Sequence, residues 1–472
     1  MTISATAQVE KTMPDSNSTE TYQSDTTILQ SSAMVDTIKH LYNLDSLDQA
    51  QKKREHTEFL KMAAIQAESD KIWMKQQIGA LSGRNMKGRG YVKRGVDSAA
   101  IYIMKKFKEL KLKSVASNGS FTQGFAFPVN TFPGKMKLSL NGEQLKPGAE
   151  YVIDPASPSC SCTRLPVKTV NLNDISDRLA WKIVLSQFDG SHAYFLQNVD
   201  LFCTKVLNVK RNLFLSMLPK GVYLIEQNGI LQWGVSRDTI AATIFCVHKD
   251  VVPKNLKSVS AEVVSEFIPH SRNVNIVGCV PGAVKDSYIV FSAHYDHVGM
   301  MGDTTMFPGA SDNASGVAMM LHLASFYSKH PPRYTMVFIA FAGEEASLMG
   351  SEFFVKNPMF PLKNIRFLIN MDVMGDASNA ITVVNATENP VEYAMLKQIN
   401  DQEKFVPELR SRGQAANSDH YYFARSGVPA FFIYSNGGKG YYHDIYDKAK
   451  EITANNLDGV AKLLITFAKN LN

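Results

Sequence analysis

The stretch Ser287-Tyr-Ile-Val-Phe-Ser-Ala-His294-Tyr-Asp296 indicates the fold most directly. Residues 287–293 form a short apolar run that favours a buried β-strand, and polar side chains begin where the run ends. Similar runs, each followed by a histidine or a carboxylate, recur towards the end of the chain. In an open α/β sheet the carboxyl ends of parallel strands meet at one edge, where ligands bind. We therefore expect such a sheet, with a site just past its strands.

Strands and helices alternate after residue 270. The predicted strands are Ser287–Ala293, Tyr334–Ala340, Ile365–Met371, Ala380–Val384 and Pro429–Tyr434. Apolar residues spaced three or four apart indicate two helices, from Ala314 to Ala324 and from Leu457 to Phe467. The predicted fold class is therefore α/β, a mostly parallel mixed sheet with helices on both faces.

Residues 135–269 have a different pattern. Short apolar runs such as Lys182–Leu185 and Gly221–Ile225 are broken by Asn, Asp, Gly and Pro, which is typical of β-structure. We expect an inserted, mainly β domain here. Residues 35–134 are predicted to be a helical preface and the start of the α/β domain that residues 270–472 complete. One helix in that part is indicated by a shared apolar face, made of Ala100, Ile103, Phe107 and Leu110.

Residues 1–34 are predicted to be a disordered leader, since residues 14–33 are rich in Ser, Thr, Asp and Gln. Ala5-Thr-Ala7 followed by Gln8 is similar to the end of a secretory signal, although its basic and apolar parts are missing. Two interpretations stay open: the leader is the remnant of such a signal, or Ala5-Thr-Ala7 is an accidental match in a flexible tail. We expect an extracytoplasmic protein, periplasmic or secreted, with the cytoplasm as the alternative.

Composition excludes several classes of protein. The 50 basic and 44 acidic residues leave a net charge of only +6 without a dominant basic block, so a nucleic-acid partner is not expected. No apolar run reaches the roughly 18 residues of a membrane-spanning helix. The five cysteines include no Cys-x-x-Cys pair, and we assign them no role.

Histidines and carboxylates collect just past the predicted strands. They are His294, Asp296, Asp312, Glu344, Glu345, Asp372 and His443. So many carboxylates at one sheet edge would raise one another's pKa values and cost stability, unless cations were bound among them. Imidazole and carboxylate donors without thiolate suit zinc, with manganese or cobalt as substitutes. The sequence therefore predicts a metal centre.

The ordered set of motifs around these residues resembles a known family. The motifs are His-x-Asp at 294–296, Ser-Asp-Asn-x-Ser-Gly at 311–316, Gly-Glu-Glu at 343–345, Asn-Met-Asp at 370–372 and Tyr-His at 442–443. Together they are similar to the co-catalytic di-zinc aminopeptidases, the bacterial leucyl aminopeptidase-like metallopeptidases related to glutamate carboxypeptidases and glutaminyl cyclases. The resemblance covers residues 70–134 and 270–472, and includes the opening stretch Leu81–Gly90. By its placement, the 135–269 insert resembles the protease-associated domain of that family.

This resemblance implies two zinc ions per chain. One would be held by His294 and Asp372, the other by Glu345 and His443, with Asp312 bridging them. Glu344 would be the general base, beside a ligand without being one.

Other polar residues near these motifs are given lesser roles. Asp296 is expected to orient the imidazole of His294, and Tyr442 to donate a hydrogen bond to the tetrahedral oxyanion. The remaining four have no ligand role and are expected to support the ligands or to lie at the surface; they are His297, His420, Asp419 and Asp447.

The resulting hypothesis is a zinc-dependent exopeptidase, an aminopeptidase that hydrolyses the amino-terminal bonds of peptide substrates through a metal-activated bridging water. A carboxypeptidase or deacylase of the same fold would use the same metal site. A glutaminyl cyclase, which works with a single zinc, and a binding module that has lost its metals remain as further alternatives.

Overall fold

A computed structural model describes residues 44–471. The predicted leader, residues 1–34, and the start of the preface lie outside the described residues. The described residues divide into two units, one that ends at residue 66 and one that begins at residue 67. In the part of the chain that is described, no helix has the length and apolar character needed to cross a membrane.

The amino-terminal elements of the described chain are two long helices and one strand. They are α1 (Leu44–Leu81), α2 (Gly95–Glu109) and β1 (Thr122–Thr131). Helix α2 buries Ala100, Ile103 and Phe107 of the predicted face in the main core, because these residues recur once per turn.

Residues 136–263 form an eight-stranded sheet of their own, with three short helices on it. Its elements are β2 (Met136–Leu140), β3 (Glu143–Gln144), β4 (Tyr151–Ile153), β5 (Cys160–Asn171), α3 (Arg178–Leu185), β6 (Ala193–Gln197), α4 (Val199–Phe202), α5 (Arg211–Ser216), β7 (Gly221–Gln227), β8 (Ala242–His248) and β9 (Ser258–Val263). The strand order is β3-β2-β9-β5-β6-β7-β8-β4.

The β-type interpretation of Lys182–Leu185 is wrong, because these residues end helix α3. Asp177 begins this helix by accepting hydrogen bonds from the main-chain N–H groups of Leu179 and Ala180. Trp181 then faces inwards, packed edge-on against Phe202. The apolar residues therefore follow a helical period, and a four-residue run was too short to distinguish it from a strand.

The rest of the chain completes the main α/β sheet. Its elements are β10 (Glu266–Val280), β11 (Val284–His294), β12 (Met300–Met301), β13 (Thr305–Met306), α6 (Gly316–Lys329), β14 (Tyr334–Phe341), α7 (Met349–Lys356), β15 (Ile365–Met371), β16 (Ala380–Val384), α8 (Pro390–Glu403), β17 (Leu409–Arg412), α9 (His420–Arg425), β18 (Ala430–Asn436) and α10 (Leu457–Asn470). The order is β1-β10-β14-β11-β15-β18-β16-β17.

Four neighbouring strands at the centre of this sheet, β14, β11, β15 and β18, run parallel. Strand β14 is buried along its whole length, as expected where both faces of a sheet are covered. The antiparallel pairs β1–β10, β10–β14 and β16–β18 lie towards the edges. The predicted α/β class with a mostly parallel mixed sheet is confirmed, and the parallel strands lie at its centre.

The 136–263 sheet shares a hydrophobic core with the main domain. Phe132 and the 298–307 loop, which follows β11, pack into the same cluster as strands β2, β8 and β9. In that cluster the rings of Trp233 and Phe307 lie 5.0 Å apart. The 136–263 segment therefore reaches the loops at the carboxyl ends of the main strands.

Candidate metal centre

The carboxyl ends of β11 and β15 bring one group of donor atoms together. His294 is the last residue of β11, and Asp372 follows β15 directly. The Nε2 atom of His294 lies 3.2 Å from Oδ1 of Asp372 and 3.3 Å from Oδ1 of Asp312. All three side chains are buried. These three residues form the first donor group.

A second group surrounds the other oxygen of the same aspartate. The Nε2 atom of His443 lies 2.9 Å from Oδ2 of Asp312 and 3.0 Å from Oε2 of Glu345. Because Asp312 presents Oδ1 to His294 and Oδ2 to His443, its carboxylate joins the two groups. The five residues expected to hold metals thus lie together in two groups that share one carboxylate.

The donor atoms are spaced as the ligands of a metal ion would be. Tetrahedral zinc with bonds of about 2.1 Å places its ligand atoms about 3.4 Å apart, close to the separations in the first group. In addition, Nε2 of His443 is a buried atom that makes no hydrogen bond of acceptable geometry within residues 44–471, although two carboxylate oxygens lie near it. Once its proton is released, an imidazole nitrogen left in this way is suited to bind a cation.

The electrostatics of the group also call for cations. Burial alone would lower the pKa of His443, but the carboxylates of Glu345 and Asp312 hold that pKa well above its usual value. Burial would raise the pKa of Glu345, yet His443 and His297 lower it to about 2. The carboxylates therefore stay ionised in a buried place, where negative charge must be balanced.

Glu344 lies beside the donor groups. Its Oε2 is 4.0 Å from Nε2 of His294. Burial, together with the neighbouring Glu345 and Asp372, raises the pKa of Glu344 well above its usual value, although His294 opposes the shift. A carboxylate with a raised pKa at this position is a suitable proton acceptor.

Asp296 is placed differently from its expected role. The Nδ1 atom of His294 lies 3.1 Å from the carbonyl oxygen of Asp296 and 3.7 Å from its carboxylate. The main chain of Asp296 therefore orients the imidazole. Its carboxylate instead accepts hydrogen bonds from the Tyr91 hydroxyl and the Glu344 main-chain N–H, both at 3.2 Å. Asp296 thus positions the loop that carries Glu344.

The four residues without an expected ligand role are all buried, so of the two expected alternatives, support of the ligands or a place at the surface, the second is wrong. His297 places Nδ1 2.8 Å from Oε1 of Glu345 and joins the second donor group. Asp447 accepts hydrogen bonds from the main-chain N–H groups of Ser311 and Asp312. Burial raises the pKa of Asp419 to about 7 and lowers that of His420 to about 4.

Sequence reasoning missed Tyr91 and undervalued His297. The available signal for His297 was its position three residues after His294, just beyond the end of a strand. Nothing local marked Tyr91, which lies 205 residues from its partner Asp296.

Tyr442 stands at the rim of the centre. Its ring stacks on that of His443, with centroids 4.0 Å apart and an interplanar angle of 10°. It is 43% exposed, so it borders both the donor group and solvent.

A centrally parallel α/β sheet with histidine and carboxylate donors past its strand ends is an arrangement that can hold metal ions. Residues 275–468 match the family described as Peptidase family M28. This part of the chain thus matches the family that the sequence motifs resemble.

Comparison with known proteins agrees with this assignment. Aminopeptidase YwaD of Bacillus subtilis is 30% identical over 200 residues, which cover 40% of this chain and 43% of that protein. A probable zinc metalloprotease of Pyrenophora tritici-repentis is 37% identical over 97 residues, 20% of this chain and 22% of the relative. The chain thus aligns with less than half the length of either relative.

The fold is shared over a longer range. The structure of a Peptidase M28 precursor from Shewanella amazonensis superposes with a TM-score of 0.64 at 16% identity, covering 87% of this chain and 96% of that one. At this level of identity, the likeness concerns the fold alone.

Proposed function

We propose that this protein is a zinc-dependent aminopeptidase that holds two zinc ions and hydrolyses the amino-terminal bond of peptides. The observation that carries the proposal is the Asp312 carboxylate, whose two oxygens face two different histidines. Zinc and aminopeptidase activity are named for relatives of this chain. His294 and Asp372 would hold one ion, Glu345 and His443 the other, and Asp312 both.

The chain's own residues then have distinct tasks. When bound at these residues, zinc would polarise a scissile carbonyl and lower the pKa of a water molecule. Glu344 accepts the proton of the attacking water and passes it to the departing amine. The Asp296 carboxylate holds the Glu344 main chain through its N–H. Tyr442, at the exposed rim, is placed to donate its hydroxyl hydrogen to the oxyanion.

The proposal is tested with Glu344→Gln, which keeps the shape of the side chain and removes the proton acceptor. Turnover of chromogenic aminoacyl substrates should fall by about 10²- to 10⁴-fold. Zinc should stay near two ions per chain by elemental analysis. The control is Glu352→Gln on helix α7, which removes only a surface ion pair with Lys356 and should leave both readings unchanged.

Three results would contradict the proposal. They are wild-type protein that binds no zinc, full activity in Glu344→Gln, and hydrolysis of amino-terminally acetylated peptides at the rate of free ones. The last result would favour a carboxypeptidase or deacylase, and a zinc count near one would favour a glutaminyl cyclase.

A further inference from the structure

Arg89 is a fully buried arginine all of whose donors are used. Its Nε atom donates to the carbonyl oxygen of Tyr295 at 2.8 Å. One terminal nitrogen donates to the carbonyls of Leu81 and Pro308, at 3.0 and 2.9 Å. The other donates to the carbonyls of Gly309 and Asp312, at 2.8 and 3.0 Å. Five N–H groups thus meet five acceptors, the full capacity of a guanidinium.

Four of these acceptors belong to the two loops that carry metal donors. Tyr295 directly follows His294, while Pro308 and Gly309 lead to Asp312, whose own carbonyl is the fourth. The Arg89 main chain adds a further hydrogen bond, in which its carbonyl oxygen accepts from the main-chain N–H of His297 at 3.3 Å. One residue therefore links the His294–His297 loop to the Pro308–Asp312 loop.

The neighbours of Arg89 explain how its side chain reaches this place. A Cβ atom on Gly88 would lie 2.4 Å from the carbonyl oxygen of Phe307, and one on Gly90 would lie 2.4 Å from Cα of Gly299. Only glycines allow the backbone to pass so close to the loop. The segment around Arg89 is therefore fitted against the loops of the metal centre.

The Arg89 guanidinium makes no hydrogen bond to a carboxylate. All its hydrogen-bond acceptors are main-chain carbonyls, whereas Asp312, Asp447 and Asp296 act on it from a greater distance. A buried cation is costly when it lacks partners, so this arrangement is stable only while the two loops keep their positions.

We propose that Arg89 is a positioning residue for the metal centre: it fixes the spacing between the His294 loop and the Asp312 loop and thereby sets the affinity for zinc. The proposal rests on the proposed function insofar as these loops bind zinc. If Arg89 acts by orienting the zinc ligands, its replacement should weaken zinc binding by about 10- to 100-fold. A role in general stability alone would leave zinc affinity unchanged in the folded variant.

The test is Arg89→Lys, which keeps the charge but can satisfy at most three of the five carbonyls. Zinc affinity is measured on the full chain by competition with a chromophoric chelator, with thermal unfolding in parallel. We expect affinity to fall at least tenfold, and kcat at limiting zinc to fall more than KM rises. Excess zinc should restore part of the activity. Wild-type affinity in a folded Arg89→Lys protein would overturn the proposal.

The matched control is Arg94→Lys. Arg94 belongs to the same segment, but it forms a half-exposed bidentate pair with Asp97 at 2.7 and 2.6 Å. Its replacement should leave zinc affinity within twofold of wild type. If the wild-type chain binds no zinc at all, the proposed function fails. If wild type and Arg89→Lys bind zinc with equal affinity, only the proposed role of Arg89 fails.

A second measurement is available if Arg89→Lys does not fold. Hydrogen exchange is followed by mass spectrometry on the wild-type chain, with and without zinc. If Arg89 couples its segment to the metal loops, zinc must protect the amides of residues 84–95 together with those of residues 306–315, since the coupling is reciprocal. Equal exchange of residues 84–95 in both states would overturn the proposal.

Discussion

At the scale of single residues, the centre depends on side chains that hold the ligands as well as on the ligands themselves. His297 fixes one oxygen of Glu345 and leaves the other for His443. A carboxylate held in this way loses less rotational freedom when it binds a metal, which strengthens binding. His297 should therefore contribute to metal affinity, although no ligand role was expected for it.

The first prediction concerns His297→Gln. We expect zinc affinity to drop by about 10- to 100-fold, because Glu345 would no longer be held. A chelator competition assay measures the effect. The control is His330→Gln, an exposed histidine at the end of helix α6, which should bind zinc as the wild type does. Equal affinities of His297→Gln and wild type would show that Glu345 is ordered without its partner.

The sequence predicted which residues lie together in the metal centre, but it predicted their individual hydrogen bonds less well. His294, Asp312, Glu345, Asp372 and His443 do lie together, because each follows a strand or loop end at one sheet edge. The Asp296 carboxylate was assigned to His294, whereas it binds Tyr91 and Glu344. Such hydrogen bonds join residues that are far apart in sequence, and the spacing of residues along the chain does not predict them.

At the scale of elements, the loop before helix α6 shows how tightly the main chain is fitted. Gly309 has φ +60°, and a Cβ atom there would lie 2.2 Å from the carbonyl oxygen of Asp312 and 2.5 Å from Cδ2 of His297. Both neighbours belong to the metal centre. A side chain at position 309 would therefore displace a ligand-bearing loop as well as strain its own backbone.

The second prediction is that Gly309→Ala loses both stability and zinc. The matched control is Gly427→Ala, at φ +82° with open space around its Cβ position. The control should cost only the backbone penalty, about 1–2 kcal/mol of unfolding free energy, and keep its zinc. Urea unfolding and zinc analysis distinguish the two variants. Equal losses in both would show that the close contacts at position 309 relax without cost.

The sequence predicted the strands of the parallel centre well, since long apolar runs between turns are hard to mistake. The strand Ile365–Met371 has the predicted bounds, and the strand at Tyr334 ends one residue later than predicted. Helix α3 was missed, because its identity depends on the cap at Asp177 and on the aromatic contacts of Trp181, which become clear only after folding.

At the scale of the whole molecule, the 136–263 segment takes part in the metal centre. The main-chain N–H of Trp233 donates to the carbonyl oxygen of His443 at 2.9 Å. Its indole N–H binds the carbonyl of Ile153, and its ring packs on Phe307. The segment thus supports His443, one of the proposed zinc ligands, through its main chain. That residues 135–269 form a separate inserted domain stays a prediction.

The third prediction compares two tryptophans of this segment. Trp233→Ala and Trp181→Ala should each destabilise the protein by about 3–5 kcal/mol, since both remove a large buried ring. Only Trp233→Ala should also weaken zinc binding, because Trp181 lies in a separate cluster with helices α4 and α5. Unfolding curves and chelator competition measure the two effects. Unchanged zinc affinity in Trp233→Ala would show that the insert supports only its own core.

The pairing of β1 with β10 has a consequence for how the chain folds. Thr131 pairs with Glu266 across the whole 136–263 segment, so these neighbouring strands are 135 residues apart in sequence. If that long connection were an open coil, closing it would be entropically costly and slow. A segment that folds first brings its own ends together and turns the distant pair into a local one. The rate at which the main sheet assembles should therefore depend on how fast the insert folds.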